Sequence, residues 1–279
     1  MSTPADPSLA PLVALTETLG AHAFAGFCVL LAVLLAAVAL IDVSLRRVAR
    51  RRLLRPDAHP FARIFLRLLF GFALIVAAAF AFAELAEEIG PGEELAQLDQ
   101  VFSDAVRAST PEAVRAAFGW VTHLGDPWTI VLLGVVAVLG LMMRGERVLA
   151  FAFVAALAGN ALLNTALKHA FERARPLHAH AQALEPTPFA GYSFPSGHSS
   201  GALVAYGMLA YVLMRTLPRA WHLPAALLCA GVAFSVGASR IFIQAHFATD
   251  VMAGFASGSV WLAICILSVE WAQRERRAR

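Results

Sequence analysis

Long apolar runs constrain this chain more than any other feature. Seven stretches, residues 21–41, 62–83, 128–143, 148–167, 199–214, 224–238 and 251–269, are almost free of charge, and charged residues, Pro or Gly bound each one. An amphipathic surface helix or a half-buried strand would break such runs periodically with polar residues. Contiguity instead suits hydrocarbon, which a helix of roughly 17–25 apolar residues can cross because all its backbone hydrogen bonds close within the segment. The composition agrees: of 279 residues, 59% are hydrophobic and 15% charged, against about 45–50% and about 25% in soluble domains. The predicted fold is an all-α polytopic membrane helix bundle with about seven transmembrane helices. The first run is too long for a signal peptide, lacks a basic leader and is followed by six arginines, so it is read as a span.

Cation placement orients the bundle. With the Arg-rich 45–55 stretch taken as a cytoplasmic loop, 16 of the 22 Lys and Arg residues fall on that side. Six fall on the other: Arg107, Arg115, Lys168, Arg173, Arg175 and Arg240. The N-terminus is then outside and the C-terminus inside. Short loops and an Arg- and Ala-rich composition suggest a bacterial inner membrane with the outer side periplasmic. Of the chain's cations, 21 are Arg and a single one, Lys168, is Lys. The three cysteines, Cys28, Cys229 and Cys265, lie in apolar runs without ligand spacing and are expected as buried small hydrophobes. No nucleic-acid partner is expected.

The longest loop, 84–126, is on the outer side and reads as two amphipathic helices. Leu95, Leu98, Val101, Phe102 and Val106 share a face of the first. Thr110-Pro111-Glu112 opens the second, with Thr110 as its cap and Pro111 at its first position, and Asp126-Pro127 repeats the signal for the third span. The pair either packs on the bundle surface or covers a substrate entrance.

Three polar clusters stand at outer helix ends. Asn160, Asn164 and Lys168, spaced by four, line one face of the fourth span and lead into Arg173 and Arg175. The asparagines suit helix–helix hydrogen bonding as well as a cavity wall. The fifth span opens with Pro195-Ser196-Gly197-His198. Pro195 suits the first helical position, the N–H groups after it lack intrahelical partners, and Gly197 permits close approach of an anion. His198 there can donate a proton to a group leaving that anion. Finally Ser239-Arg240 ends the sixth span, and His246 and Asp250 lie four apart at the start of the seventh. The carboxylate can fix one ring nitrogen of His246 and leave the other to attack, although such a pair can also be purely structural.

Together these residues resemble the type 2 phosphatidic acid phosphatases (PAP2), a family related to vanadium haloperoxidases. The family pattern Lys-x6-Arg-Pro, Pro-Ser-Gly-His and Ser-Arg-x5-His-x3-Asp is filled by Lys168…Arg175-Pro176, Pro195-Ser196-Gly197-His198 and Ser239-Arg240…His246…Asp250. The likeness covers about residues 120–268. It implies a six-helix core with an added N-terminal helix: residues 1–60 for that helix and its Arg-rich loop, 61–270 for the phosphatase domain, and 271–279 for a basic cytoplasmic tail. It implies His246 as nucleophile forming a phosphohistidine, Asp250 as its orienting carboxylate and His198 as the acid for the leaving oxygen. Lys168, Arg175, Ser196, Gly197 and Arg240 would hold the phosphoryl oxygens. Three cations and a helix N-terminus would do the charge neutralisation that a metal does elsewhere, so no metal or other cofactor is expected.

The implied substrate is a lipid phosphate or diphosphate: undecaprenyl diphosphate, phosphatidylglycerol phosphate, phosphatidic acid or a lipid A phosphate. A phosphotransferase would use the same residues, and a lipid-binding or transport protein is a third reading that the filled motifs oppose. His178-x-His180 lacks supporting carboxylates or cysteines for a metal site. Glu172 is expected to pair with a nearby cation, and His123 to be structural. Gly254-x3-Gly258 reads as close helix packing that holds His246 in place.

Overall fold

A computed structural model describes residues 9–53, 60–90, 93–176 and 191–278. The described residues form ten α-helices: α1 (Ala10–Ala21), α2 (Ala23–Leu53), α3 (Pro60–Glu87), α4 (Glu94–Ser109), α5 (Glu112–Val121), α6 (Pro127–Met143), α7 (Arg147–Phe171), α8 (Gly197–Thr216), α9 (His222–Phe242) and α10 (Ala248–Ala278). The seven apolar runs fall on α2, α3 and α6 to α10, the first of them beginning at the last residue of α1. Among the described residues, four stretches are long and apolar enough to cross a membrane on their own: Ala23–Ser44, Arg147–Phe171, Arg219–Phe242 and Ala248–Gln273. Glu112–Gly125 and Pro127–Met143, bent by 46°, make a fifth if taken together. Seven crossings therefore remain a proposal, while the integral-membrane architecture is plain.

The exterior explains that architecture. Large apolar side chains point outward along the spans, among them Val29, Leu30 and Val33 of α2, Leu132 and Val136 of α6, and Phe151 and Leu162 of α7. In water this would be an aggregation surface; against lipid tails it costs nothing. The interior is correspondingly small and polar. Ser199, Ser200, Gly201, Ala202 and Ala205 line the buried face of α8, the central helix, which packs against α6, α7, α9 and α10. Deeper in the bundle Leu149, Phe153, Val204 and Met208 form the apolar core.

Helix α10 crosses α8 at the Gly254-x3-Gly258 step. A Cβ on Gly254 would stand 2.6 Å from the Ser196 carbonyl oxygen, and one on Gly258 would stand 3.1 Å from Ser200 Cα. The packing read from the spacing is present, and it sets α10 directly behind the residues that open α8.

Several expectations shift at the helix ends. The Arg-rich stretch is no loop: α2 continues to Leu53 as helix. The basic tail is likewise helical, because α10 runs without interruption to Ala278. A separate helix, α1, precedes the first span and packs on α4, with Gly20 against Ala105 and the Phe102 carbonyl. Helices α4 and α5 exist, but Thr110 closes α4 instead of opening α5. Its hydroxyl donates to the Val106 carbonyl at 2.6 Å, and Pro111, whose carbonyl accepts from Arg115 N–H, is the cap residue of α5. Cys229 and Cys265 are buried, whereas Cys28 is exposed on α2. His59, His178 and His180 lie outside the described residues.

Substituting Gly254 by Val inserts two methyl groups and a Cβ into that crossing. Overpacking of this kind costs about 1–3 kcal/mol. The expected result is a lower apparent Tm of the detergent-solubilised protein; an unchanged Tm would contradict the close α8–α10 crossing.

Candidate active site

Chain direction gathers the site. Helix α7 ends at Phe171 and α8 begins at Gly197; α9 ends at Phe242 and α10 begins at Ala248. The C-terminal ends of α7 and α9 therefore meet the N-terminal ends of α8 and α10. At the end of α7, Glu172 takes a left-handed conformation (φ 46°) with its N–H bonded to the Lys168 carbonyl, which turns the chain back at once. Its carboxylate accepts from the Tyr192 hydroxyl at 2.8 Å, so the cation pairing expected of Glu172 is replaced by a phenol.

His246 lies in the short connection between α9 and α10 and is buried. Its Nδ1 is 3.4 Å from Asp250 Oδ2 and 3.3 Å from Ser193 Oγ. The same Asp250 oxygen accepts from the Ser193 hydroxyl and from Phe247 N–H. No described residue bonds Nε2. The ring is thus held by one nitrogen and leaves the other available. Burial pushes its pKa down to about 3, with the Asp250 hydrogen bond opposing. A neutral imidazole with a free lone pair is the form that attacks an electrophile.

Asp250 Oδ1 receives Arg173 Nη1 at 2.7 Å, and the other arm of that guanidinium reaches Asp99 Oδ2 at 2.9 Å. Asp99 comes from α4, and it also accepts from Thr249 through both its hydroxyl and its N–H. The Arg173 guanidinium lies 4.4 Å from the centre of the Phe247 ring. Burial raises the Asp99 carboxyl, and the bonds from Thr249 and Arg173 oppose that rise. Asp99, Arg173, Ser193 and Thr249 all lie outside the fixed positions of the three motifs. A lone acidic residue on an outer helix carries no sequence signal for a partner about 150 positions away.

The cations surround this pair. Lys168 Nζ donates to the Tyr192 carbonyl and Arg175 Nη1 to the Ala245 carbonyl at 3.1 Å. Arg240 Nη1 donates to Thr122 Oγ1 at 2.7 Å, while its buried Nε has no hydrogen-bond partner among the described residues. Lys168 and Arg240 make no ion pair with a described residue. All three cations are near enough to act electrostatically on one another, and Arg175 and Arg240 also act on His246 and His198. A buried N–H without an acceptor is costly, and an arriving anion would satisfy it.

The start of α8 lies two positions beyond the expected one, at Gly197 instead of Pro195. Ser196, not a residue before Pro195, caps α8: its Oγ accepts from Ser199 N–H at 3.3 Å and from the Ser199 hydroxyl at 2.8 Å. Ser196 N–H is spent on the Asp250 carbonyl. The amides of Gly197 and His198 have no acceptor among the described residues, and the Ser196 hydroxyl proton remains free to donate. Gly197 is required for a reason besides approach to an anion, since a Cβ there would meet Asn164 Oδ1 at 2.9 Å. Asn160 and Asn164 both donate to Ser200 Oγ, which is the helix–helix bonding their spacing allowed. His198 Nε2 lies 3.0 Å from Asp126 Oδ1. Thus the eight residues singled out in the three motifs converge on one end of the bundle.

Removing one member of a buried ion pair costs about 3–5 kcal/mol, because the remaining charge is left uncompensated. Asp99→Ala is expected to lower the apparent Tm in detergent markedly, and Asp99→Asn, which still accepts from Thr249, to lower it less. Equal stability of the Ala variant and the wild type would contradict the α4 anchor.

Comparison with known proteins places this arrangement. Residues 148–274 match the PAP2 superfamily. Phosphatidylglycerophosphatase B of Bacillus subtilis is 35% identical over 140 residues, which are 50% of this chain and 66% of that protein. Lipid A 1-phosphatases of Rhizobium etli and Rhizobium johnstonii are 39% and 38% identical over 110 residues, 37% of this chain and 42% and 40% of theirs. The chain thus spans just under two thirds of the first relative's length and about two fifths of the others'. The crystal structure of a transmembrane PAP2 type phosphatidylglycerolphosphate phosphatase from Bacillus subtilis superposes with a TM-score of 0.64 at 28% identity, covering 70% of this chain and 96% of that one. The likeness to the PAP2 superfamily falls on residues 148–274, the part of the chain that holds all three motifs and the candidate site they form.

Proposed function

We propose that this protein is a membrane lipid phosphatase that hydrolyses a lipid phosphate or diphosphate through a phosphohistidine on His246. The observation that carries the reading is the buried Arg240 guanidinium beside a neutral His246, with neither Arg240 Nε nor His246 Nε2 bonded to any described residue. That combination asks for an anion whose central atom accepts a nucleophile, and phosphate esters meet both demands. The names of the relatives, a phosphatidylglycerophosphatase and two lipid A 1-phosphatases, support a lipid carrier for that phosphate.

The roles follow from the chemistry of each group. Arg240, Arg175 and Lys168, the Gly197 amide and the Ser196 hydroxyl hold the phosphoryl oxygens, with charge-assisted bonds that strengthen as negative charge builds. The His246 Nε2 lone pair forms the N–P bond, and the P–O bond to the lipid breaks with its electron pair on the leaving oxygen. His198 gives that oxygen a proton. Water then attacks phosphorus and loses a proton to His198, and the N–P electron pair returns to His246. Asp250 supports the positive charge that the ring carries meanwhile. The proposed compartment is a bacterial inner membrane with this end periplasmic, in accord with the cation asymmetry.

The test is phosphate release by purified protein in detergent from phosphatidylglycerol phosphate, phosphatidic acid, a lipid A phosphate and undecaprenyl diphosphate. At least one is expected to be hydrolysed, with activity abolished in His246→Ala and unchanged by a metal chelator. Full activity of His246→Ala would overturn the mechanism. A phosphorylated acceptor without free phosphate would reassign the protein as a phosphotransferase. Arg240→Gln removes one charged donor, worth about 1.5–3 kcal/mol, and is expected to lower kcat/KM about 10- to 100-fold.

A further inference from the structure

The turn between α5 and α6 touches the site twice, yet no motif includes it. Thr122 accepts from Arg240, and four residues later Asp126 Oδ1 meets His198 Nε2 at 3.0 Å. Asp126 occupies the cap position of α6, where a side-chain oxygen ordinarily accepts from the first free N–H groups of the helix. It makes no such bond here. Both its oxygens are given to imidazoles, the second to His123 Nδ1 at 2.7 Å.

The turn is held against the helices that carry the site. A Cβ on Gly125 would stand 2.3 Å from Val236 Cγ1 and 3.2 Å from His198 Cδ2, so the backbone passes where only glycine fits. The Tyr206 hydroxyl on α8 donates to the Leu124 carbonyl at 2.9 Å. Side-chain exposure falls from 61% at His123 through 36% at Asp126 to 21% at His198, a graded path from solvent inward.

Charge gives the arrangement its purpose. Arg240 and Arg175 both act on His198 and disfavour a further positive charge on its ring. Asp126 is the carboxylate among the described residues that opposes them. The bond from His198 holds the Asp126 carboxyl below its ordinary range, so the group is an anion at neutral pH.

We propose that Asp126 is the positioning residue of His198, fixing its tautomer through Nε2 so that Nδ1 delivers the proton to the departing lipid oxygen, with His123 linking the carboxylate to solvent. The inference rests on the phosphatase reading. Two carboxylate–histidine dyads then face one phosphorus: Asp250–His246 for the nucleophile and Asp126–His198 for the acid. In the first transfer the proton on His198 Nδ1 moves to the lipid oxygen as the P–O electron pair arrives there, and His198 is left neutral. In the second it accepts a proton from the attacking water. Asp126 exchanges no atom with the substrate.

A positioning role for the acid predicts dependence on the leaving group, which a structural role does not. The experiment compares kcat/KM, which reports the first transfer alone, for short-chain phosphatidic acid and for p-nitrophenyl phosphate, whose leaving group departs without protonation. Asp126→Asn is expected to lower kcat/KM for phosphatidic acid about 100-fold and for p-nitrophenyl phosphate less than about 3-fold, with an unchanged apparent Tm. Asp126→Glu, which keeps the charge, is expected to recover at least about 10-fold of the loss on the lipid. Equal losses on both substrates, no loss on either, or a Glu variant as slow as the Asn variant would overturn the assignment. Wild-type protein that releases phosphate from neither substrate would instead overturn the phosphatase reading itself, and this inference with it.

Discussion

One carboxylate, Asp250, organises this end of the molecule. Its Oδ1 takes Arg173, its Oδ2 takes Ser193, Phe247 N–H and the edge of His246, and its main-chain carbonyl takes Ser196 N–H. Those partners come from the segment after α7, the segment before α8, and the connection that leads into α10. Asp99 then ties α4 into the same node through Arg173 and Thr249. A buried charge survives only when it is this fully bonded, and each bond fixes a different stretch of chain relative to His246. His246, the proposed nucleophile, is held by the whole node, not by a single partner.

The node also decides which cations are free for a ligand. Arg173 sits between two carboxylates and is neutralised within the fold. Lys168 and Arg240 rest on a carbonyl and a hydroxyl, partners that satisfy hydrogen bonds without cancelling charge. The site therefore holds an excess of positive charge in a setting of low dielectric, where an anion is attracted far more strongly than in water. A helix N-terminus with two amides that find no acceptor among the described residues adds to that field. The outer helices are part of this device: α4 supplies Asp99, and the turn after α5 supplies Thr122 and Asp126. Asp99 anchors α4 to the site, which places that helix among the fixed walls of the bundle.

The sequence made the spans, the outer amphipathic pair and the eight motif residues legible because each is encoded locally. Apolar contiguity, a face repeating every three or four residues, and motif spacing all survive without a fold. The stop at Thr110, the cap at Ser196 and the helical Arg-rich segment were misplaced, because helix ends depend on which side chain reaches which backbone group. Arg173, Asp99, Thr122 and Asp126 were missed or undervalued for a different reason. Their meaning is their partner, and the partners lie about 70 to 150 positions away along the chain. Arg173 is instructive: it stands two residues from a motif position and outside the family pattern, yet it is the cation that holds Asp250.

The proposed chemistry turns on a covalent bond between His246 and phosphorus. The direct measurement is rapid acid-free quenching of the purified protein during turnover of a 32P-labelled lipid phosphate, followed by peptide mapping. The predicted result is label on the peptide containing His246, stable to base and lost in acid. Turnover with no trapped label, or with label on another residue, would contradict it.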